Sequence, residues 1–230
     1  PAAEPAPQEA APQEPAPLTR GLAGPYLAAR MATVENDFRA AARYFVQASA
    51  HDPGDVYLQD SALVALASAG EVERAVTQAE RMILADEGTE LAGLLRRAQL
   101  VRAGDWTGLL QLIETDRSPD MPLEEDLLDG TMRGWALLGA GRASDALAAF
   151  EGMAADESLA PIVNYHLALA RALVGDYETA DSLMQKSEAG GHLLGLISRV
   201  QILSQLERRD EALALLDKVE GIDAEPQLMA

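Results

Sequence analysis

The side chains that most often perform catalysis or bind metal ions are few in this sequence and lie far apart. The three histidines are His51, His166 and His192, and no two have the spacing of a metal-binding pair. Cysteine is absent, as are the HExxH, GxGxxG and GxxxxGK[ST] motifs of zinc enzymes and phosphate-binding loops. The acidic run at 124–126 lacks the ligand order of a calcium loop, which favours solvated charge. We therefore predict a protein without catalytic residues, metal or cofactor.

A small or aliphatic residue recurs at a nearly constant interval along the chain. The intervals are 34, 34, 37, 34 and 32 residues. The six positions are Ala41, Ala75, Leu109, Ala146, Ala180 and Ala212. A period near 34 is typical of stacked helix–turn–helix units, in which each unit covers the hydrophobic face that its neighbour leaves open.

A turn residue stands five residues before each of these positions. Glycine permits a backbone conformation there that is costly for residues with a Cβ, and the small residue that follows lets two helices approach closely. The turn residues are Asn36, Gly70, Gly104, Gly141, Gly175 and Glu207, where the pattern weakens. We predict two amphipathic helices of about 12–15 residues in each unit, each marginal on its own.

The segment from Asn36 to Asp55 resembles the second half of a tetratricopeptide repeat. Small, aromatic, small and proline residues follow one another at Ala41, Phe45, Ala48 and Pro53 in NDFRAAARYFVQASAHDPGD. Similar segments begin at Ala69, Ala103, Ala140, Val174 and Leu206. The resemblance implies an all-α, right-handed α-solenoid (α-α superhelix) of about six tetratricopeptide-like repeats.

The predicted organisation has three parts. Residues 1–20 hold six of the twelve prolines and are expected to form a disordered Pro/Ala/Glu-rich tether. The helical repeat domain is expected over 21–223, followed by a C-terminal tail at 224–230. The six units are expected near 22–55, 56–89, 90–126, 127–160, 161–192 and 193–223.

The repeat is interrupted at two places and lacks a polar cap at its C-terminal end. Residues 116–130 contain a three-residue excess with two prolines, and glycines at 190–191 accompany a shortened fifth unit. Terminal repeats normally need a polar outer face. We expect Leu213, Leu216 and Val219 to be partly exposed, or covered by further repeats, another chain or a partner.

The composition and charge of the chain indicate which kinds of binding partner to expect and in which cellular compartment the protein is found. A net charge of −19 opposes binding to nucleic acid or anionic lipid, since both reward a basic surface. No apolar stretch reaches the roughly 18 residues that a membrane span needs. An acidic Ala/Pro-rich stretch before a folded domain is common after a removed secretory signal. We expect a bacterial periplasmic or envelope-associated protein, with a cytoplasmic location as the alternative.

The resemblance also implies a partner-binding groove on the first helix of each unit. With the turn residue as position 15, positions 2, 5, 9 and 12 face the concave side in this family. Carried over to this sequence, they include Tyr26, Arg30, Tyr57, Asp60, Val64, Leu94, Ala98, Val101, Thr131, Trp135, Leu138, Tyr165 and Leu169. We expect Tyr57, Trp135 and Tyr165 to anchor a partner, because aromatic rings bind at little entropic cost. The alternative is that these rings fill gaps between neighbouring helices.

The mode of recognition is expected to be apolar. Some family members clamp a partner's C-terminal carboxylate with Lys and Asn at positions 5 and 6, and this chain has neither residue there. An amphipathic helix or hydrophobic strand is the better fit. Another aromatic residue stands two residues after the turn residue in three of the units, at Phe38, Trp106 and Tyr177. Aromatic residues repeated at one position of a repeat are typical of packing between helices.

We therefore expect a non-catalytic scaffold, adaptor or assembly factor that binds another protein through a peptide or helix segment in the concave groove. Two alternatives remain open. The chain is a helical accessory region of a larger envelope enzyme, or it is a self-assembly module that forms a homo-oligomer through its open C-terminal repeat.

Overall fold

The computed structural model describes residues 21–116, 126–187 and 191–220, with side chains up to residue 217. Over these ranges the chain forms twelve α-helices and no β-strand, which confirms the predicted all-α class. The helices are α1 Ala23–Val34, α2 Phe38–His51, α3 Val56–Ser68, α4 Val72–Leu84, α5 Glu90–Ala103, α6 Trp106–Asp116, α7 Leu127–Gly139, α8 Ala143–Ala154, α9 Ala160–Leu173, α10 Tyr177–Lys186, α11 Leu193–Gln205 and α12 Arg209–Glu220. They are arranged as six consecutive helical hairpins of the solenoid class.

Each hairpin closes through the same turn, in which one residue has a positive φ. In the second hairpin, Gly70 has a φ of 73° and the following N–H, of Glu71, donates to the carbonyl of Leu66 at 2.9 Å. This is the hydrogen bond of a Schellman motif. Glu207, with a φ of 59°, and Asn36, with a φ of 58°, adopt this backbone without being glycine.

Aspartate side chains begin several of the helices. Asp37, Asp105 and Asp176 follow a turn residue, and each accepts a hydrogen bond from the backbone N–H three residues further on. Asp55 and Asp126 do the same at the starts of α3 and α7. These caps satisfy N–H groups that a helix start leaves unpaired. They fix the register of the helices that carry the surface described below.

The described residues divide into two compact units, with the boundary between residues 96 and 97. In the first unit, Phe45, Leu63, Leu66 and Met82 form one core with fully buried alanines of α2 and α4 between them. The residue at the recurring position is buried in all six hairpins, and it is an alanine in all but the third, which has Leu109.

In the second unit, the packing centres on Phe150, which is fully buried between α7, α8 and α9. The ring fits there because α7 has no side chain at Gly134. A Cβ at that position would lie 2.4 Å from the Cζ atom of Phe150. Gly134 therefore sets how closely the ring approaches α7.

Ion pairs cross between hairpins in the second unit. The buried carboxylate of Asp181 on α10 accepts hydrogen bonds from Arg199 at 2.6 Å and from Arg208 at 2.8 Å. The guanidinium of Arg97 on α5 lies 2.9 Å from the carboxylate of Asp129 on α7. Each pair joins successive hairpins of the second unit, which fixes the stacking of one hairpin on the next.

Several predictions from the sequence fall outside the described residues. They are the tether at 1–20, the acidic residues at 124–125, most of the predicted loop, the glycine at 190, the side chain of Val219 and the tail at 224–230. Among the described helices, none combines the length and the apolar character needed to cross a membrane.

The three aromatic residues predicted to pack differ in their environment. Trp106 and Tyr177 are partly buried against hydrophobic cores of the second unit. Phe38 lies in the first unit and is more exposed. A Cβ on Gly139 would lie 2.4 Å from the ring of Trp106, so that ring packs directly on the backbone of α7.

Candidate functional site

A groove of about 1070 Å³ lies along α7 and α9 in the second unit. On α7, the lining residues Leu128, Thr131, Trp135 and Leu138 follow helical spacing, so they share one face of that helix. The other lining residues are Val101, Trp106, Leu109, Leu127, Met132, Ala136, Gly139, Ala143, Ile162, His166, Leu173 and Val174. We call this set the α7–α9 groove.

Among the described residues, the lining of the α7–α9 groove contains no Asp, Glu, Lys or Arg, and several of its aliphatic side chains are exposed to solvent. Leu128, Ile162 and Leu173 are all exposed, and 70% of Leu173 is accessible to solvent. Single exposed aliphatic residues are common, but a contiguous apolar patch with this concave shape is characteristic of a binding surface.

The groove has polar side-chain groups at Trp135, His166 and Thr131. The indole Nε1 of Trp135 donates a hydrogen bond to Nδ1 of His166 at 3.2 Å. An imidazole nitrogen that accepts carries no hydrogen, so His166 is neutral here with its hydrogen on Nε2. Burial lowers the pKa of His166, which favours the same neutral state. The hydroxyl oxygen of Thr131 is buried and makes no hydrogen bond in the described structure.

An aromatic cluster supports the wall of the groove. The ring of Trp135 meets Phe150 edge-on at 5.7 Å, and His166 stacks on Phe150 at 6.3 Å between ring centroids. Tyr165 meets His166 edge-on at 5.5 Å. Trp135 therefore packs between helices and also lines the groove.

The structure distributes the predicted groove residues over three grooves, two of which share Trp135. Val101, Thr131, Trp135 and Leu138 line the α7–α9 groove, and Trp135 also lines a smaller groove of about 520 Å³ together with Leu169. Four others, Arg30, Tyr57, Asp60 and Val64, line a groove of about 200 Å³ in the first unit. The predicted residues Tyr26, Leu94, Ala98 and Tyr165 line none of these three grooves.

The groove of the first unit is smaller and more polar. The hydroxyl of Tyr57 accepts a hydrogen bond from Arg30 at 3.2 Å, and hydrogen bonding with Tyr26, Arg30 and Ser61 lowers the pKa of Tyr57. The carboxylate of Asp60 accepts a hydrogen bond from Thr89 at 2.7 Å. These polar groups already satisfy one another, so this surface offers less to an apolar partner.

The prediction from sequence missed several residues of the α7–α9 groove. Leu128 and Ile162 stand at position 2 of their repeats. Position 2 is one of the positions expected to face the concave side, as is position 9, where Trp135 stands, so the same rule could have identified both residues. Leu173 and Val174 lie at the end of α9, outside that register. Their position in the groove depends on where α9 ends relative to α7, which no local pattern encodes.

Comparison with solved structures shows that the chain has the tetratricopeptide-repeat fold. A tetratricopeptide repeat protein from Parabacteroides merdae superposes with a TM-score of 0.71 at 14% identity, over 88% of this chain and 79% of that one. PilF of Pseudomonas aeruginosa gives a TM-score of 0.60 at 14% identity, over 86% of this chain and 90% of PilF. The resemblance inferred from the sequence is thus confirmed at the level of the fold.

A third structural neighbour is described as a peptide-binding protein. YrrB, a tetratricopeptide repeat protein with an unusual peptide-binding site, gives a TM-score of 0.54 at 16% identity, over 74% of this chain and 88% of YrrB. No protein-family model and no curated protein matches the sequence of this chain.

Proposed function

We propose that this protein is a non-catalytic scaffold or assembly factor that binds an apolar segment of another protein in the α7–α9 groove. The observation that carries the proposal is an uncharged groove of about 1070 Å³ whose aliphatic walls are exposed to solvent. Burying such walls against a partner removes apolar surface from water, at about 25 cal/mol for each Å². The peptide-binding site named for YrrB supports the same kind of use for this fold.

An amphipathic helix is the segment that best fits the groove. Apolar residues recur along α7 with helical spacing, and a helix packs its own apolar stripe against such a surface. The described lining residues offer no cation for a carboxylate and no anion for a basic side chain. The partner therefore contributes aliphatic or aromatic anchors at i, i+3, i+4 and i+7.

Exposed groove residues give the sharpest test, because their substitution leaves the core intact. The groove variant carries Leu128→Glu and Ile162→Glu. The control variant carries Val72→Glu and Leu84→Glu, two exposed aliphatic residues of α4 in the first unit. Native protein and both variants serve as baits in a lysate of the source organism, after circular dichroism has shown equal helicity.

We expect that the native chain and the control variant both retain a protein from the lysate, and that the groove variant does not retain it. Isothermal titration of the purified partner should then show affinity reduced at least tenfold by the groove variant. Equal retention by all three baits would place the interface elsewhere and contradict the proposal.

A further inference from the structure

The hydrogen bond between Trp135 and His166 determines which atom of the imidazole carries a hydrogen. Because Nδ1 accepts from the indole Nε1 at 3.2 Å, the hydrogen of the neutral ring lies on Nε2. The ring is also held by packing, since it stacks on the buried ring of Phe150 and meets Tyr165 edge-on. His166 lines the α7–α9 groove, so the groove contains a hydrogen-bond donor whose ring is fixed in place.

The Nε2–H donor of His166 is available to a ligand. It makes no hydrogen bond to the described residues, and Nε2 is not enclosed by the protein. The indole Nε1 of Trp106, which also lines the groove, is a second donor of this kind. The acceptors are not available, because Nδ1 of His166 is already used and the hydroxyl oxygen of Thr131 is buried. Among the described lining side chains, the accessible nitrogen and oxygen groups therefore only donate.

A segment that covers this groove has to supply an acceptor. When an apolar side chain covers Nε2–H, the donor loses its water and gains no partner, and an unpaired buried donor is costly. A site that donates to its ligand therefore rejects an analogue that lacks the acceptor. The apolar walls at Leu128, Ile162 and Leu173 discriminate less, because they bind any apolar side chain of suitable size.

The surroundings of the donor restrict the kind of acceptor. Within a helix the backbone carbonyls already accept from N–H groups four residues further on, so the acceptor is a side chain. A carboxylate would be buried without a cation, because the described lining contains no Lys or Arg. Lysine, arginine and tryptophan side chains only donate, so they would oppose one N–H group to another. A neutral amide or hydroxyl side chain meets all three conditions.

We propose that the partner helix carries a neutral amide or hydroxyl side chain within its apolar stripe, and that His166 selects this residue by donating from Nε2. The inference rests on the proposed function and names a specificity-determining residue of the same groove. A shift of the helix by one turn would move the acceptor away from Nε2, so the bond also fixes where the helix lies along the groove.

Displayed peptide libraries test the inference without the natural partner. Each peptide is an amphipathic helix with apolar residues at i, i+3, i+4 and i+7, and each position of this stripe is randomised in turn. The libraries are selected on the full chain. Peptides that also bind the groove variant, Leu128→Glu with Ile162→Glu, are removed.

Parallel selections on four variants assign any preference to a side chain. His166→Phe keeps a ring against Phe150 but has no donor, whereas His166→Gln keeps a donor in its amide. Trp106→Phe removes the other accessible donor, and Thr131→Val removes the buried hydroxyl with little change of shape. Circular dichroism checks that each variant folds.

We expect one stripe position to be enriched in asparagine, glutamine, serine or threonine on the native chain. A synthetic peptide with leucine at that position should bind the native chain about tenfold more weakly than the selected peptide, because it leaves the donor unpaired. This comparison does not depend on any variant. The preference should disappear in His166→Phe and persist in His166→Gln, Trp106→Phe and Thr131→Val.

Other results overturn the inference. Tight binding by peptides with apolar residues at every stripe position contradicts it and leaves the proposed function intact. A polar preference that survives in His166→Phe, or that disappears in Trp106→Phe, assigns the selection to another group and also contradicts it. If no peptide binds the native chain in preference to the groove variant, the proposed function fails and the inference fails with it.

Discussion

Trp135 and His166 share a hydrogen bond across two hairpins of the second unit, from the indole Nε1 to the imidazole Nδ1 at 3.2 Å. The bond orients the indole along the wall of the α7–α9 groove, while Phe150 supports both rings from beneath. It requires a neutral imidazole, since a protonated His166 has no acceptor at Nδ1. The orientation of the Trp135 indole in the groove wall therefore depends on the protonation state of His166.

The first prediction concerns this linkage. Burial holds the pKa of His166 below its ordinary value of 6.5, so the unfolded chain binds this proton more readily than the folded one. The stabilising contribution is complete above 6.5 and declines as pH falls from 6.5 towards the lowered pKa. Urea denaturation between pH 7.5 and pH 5 should show this decline in the native chain and a flatter profile in His166→Gln.

His51 and His192 are present in both proteins, so the difference between the two profiles isolates His166. Parallel profiles for native and variant chains would contradict the linkage.

The second prediction concerns the close approach of Phe150 to α7. Gly134→Ala places a Cβ against a buried ring that Trp135 and His166 hold from two sides. Overpacking of this kind costs about 1–3 kcal/mol, against which the better helix propensity of alanine offsets about 1 kcal/mol. Thermal and urea unfolding should therefore show a net loss of stability.

Phe150→Leu supplies the control for this prediction. The leucine should cost less stability in the Gly134→Ala background than in the native chain, because it relieves the same contact. Additive losses in the double variant would show that the two positions do not compete for space.

The third prediction concerns the turn at Glu207. A residue with a Cβ pays about 1 kcal/mol for this left-handed backbone, whereas glycine does not. Glu207→Gly should stabilise the last hairpin by about 0.5 kcal/mol, after the extra entropy of glycine in the unfolded chain is subtracted. The free energy of unfolding, measured in urea, reports the gain.

Gly70→Ala is the converse control. A Cβ at Gly70 would meet nothing within 4 Å, so any loss of stability comes from the backbone and not from a clash. We expect a loss of about 1 kcal/mol. Unchanged stability in both variants would show that the positive φ carries no strain.

The fourth prediction concerns the buried carboxylate of Asp181, which joins α10 to α11 and to Arg208 in the turn before α12. Asp181→Asn removes the counter-ion of Arg199, while Arg208 keeps its ion pair with Glu211, and breaking a buried pair of this kind costs about 3 kcal/mol. The matched control is Asp145→Asn, whose exposed ion pair with Arg142 should contribute little. Equal unfolding midpoints for the two variants would contradict the assignment.

Ionisation of Asp181 should also make the free energy of unfolding depend on pH in the acid range. Burial raises its pKa, but the hydrogen bond and charge of Arg199 outweigh this, and the net pKa lies below the ordinary value of 3.8. Its contribution to stability is present above 3.8 and is lost as pH falls through the lowered pKa. Asp181→Asn should abolish this part of the acid sensitivity.

The sequence by itself determined the all-α class, the six hairpins and the place of every turn between their helices. These features are local: a turn residue, a small residue five positions later and an apolar stripe repeat within about 34 residues. The same local pattern located Trp135 and Leu138 on the face of α7 that lines the groove. It also predicted partial exposure as one outcome for Leu213 and Leu216, and both are exposed.

Only the tertiary structure decided which of the register positions form a common surface. Tyr165 shares the register of Thr131, yet it packs beside His166 while Thr131 lines the groove. The hydrogen bond from Trp135 to His166 was likewise absent from the pattern. The physical reason is that a groove or a ring contact depends on how helices of different hairpins pack, and the spacing along one helix does not encode that packing.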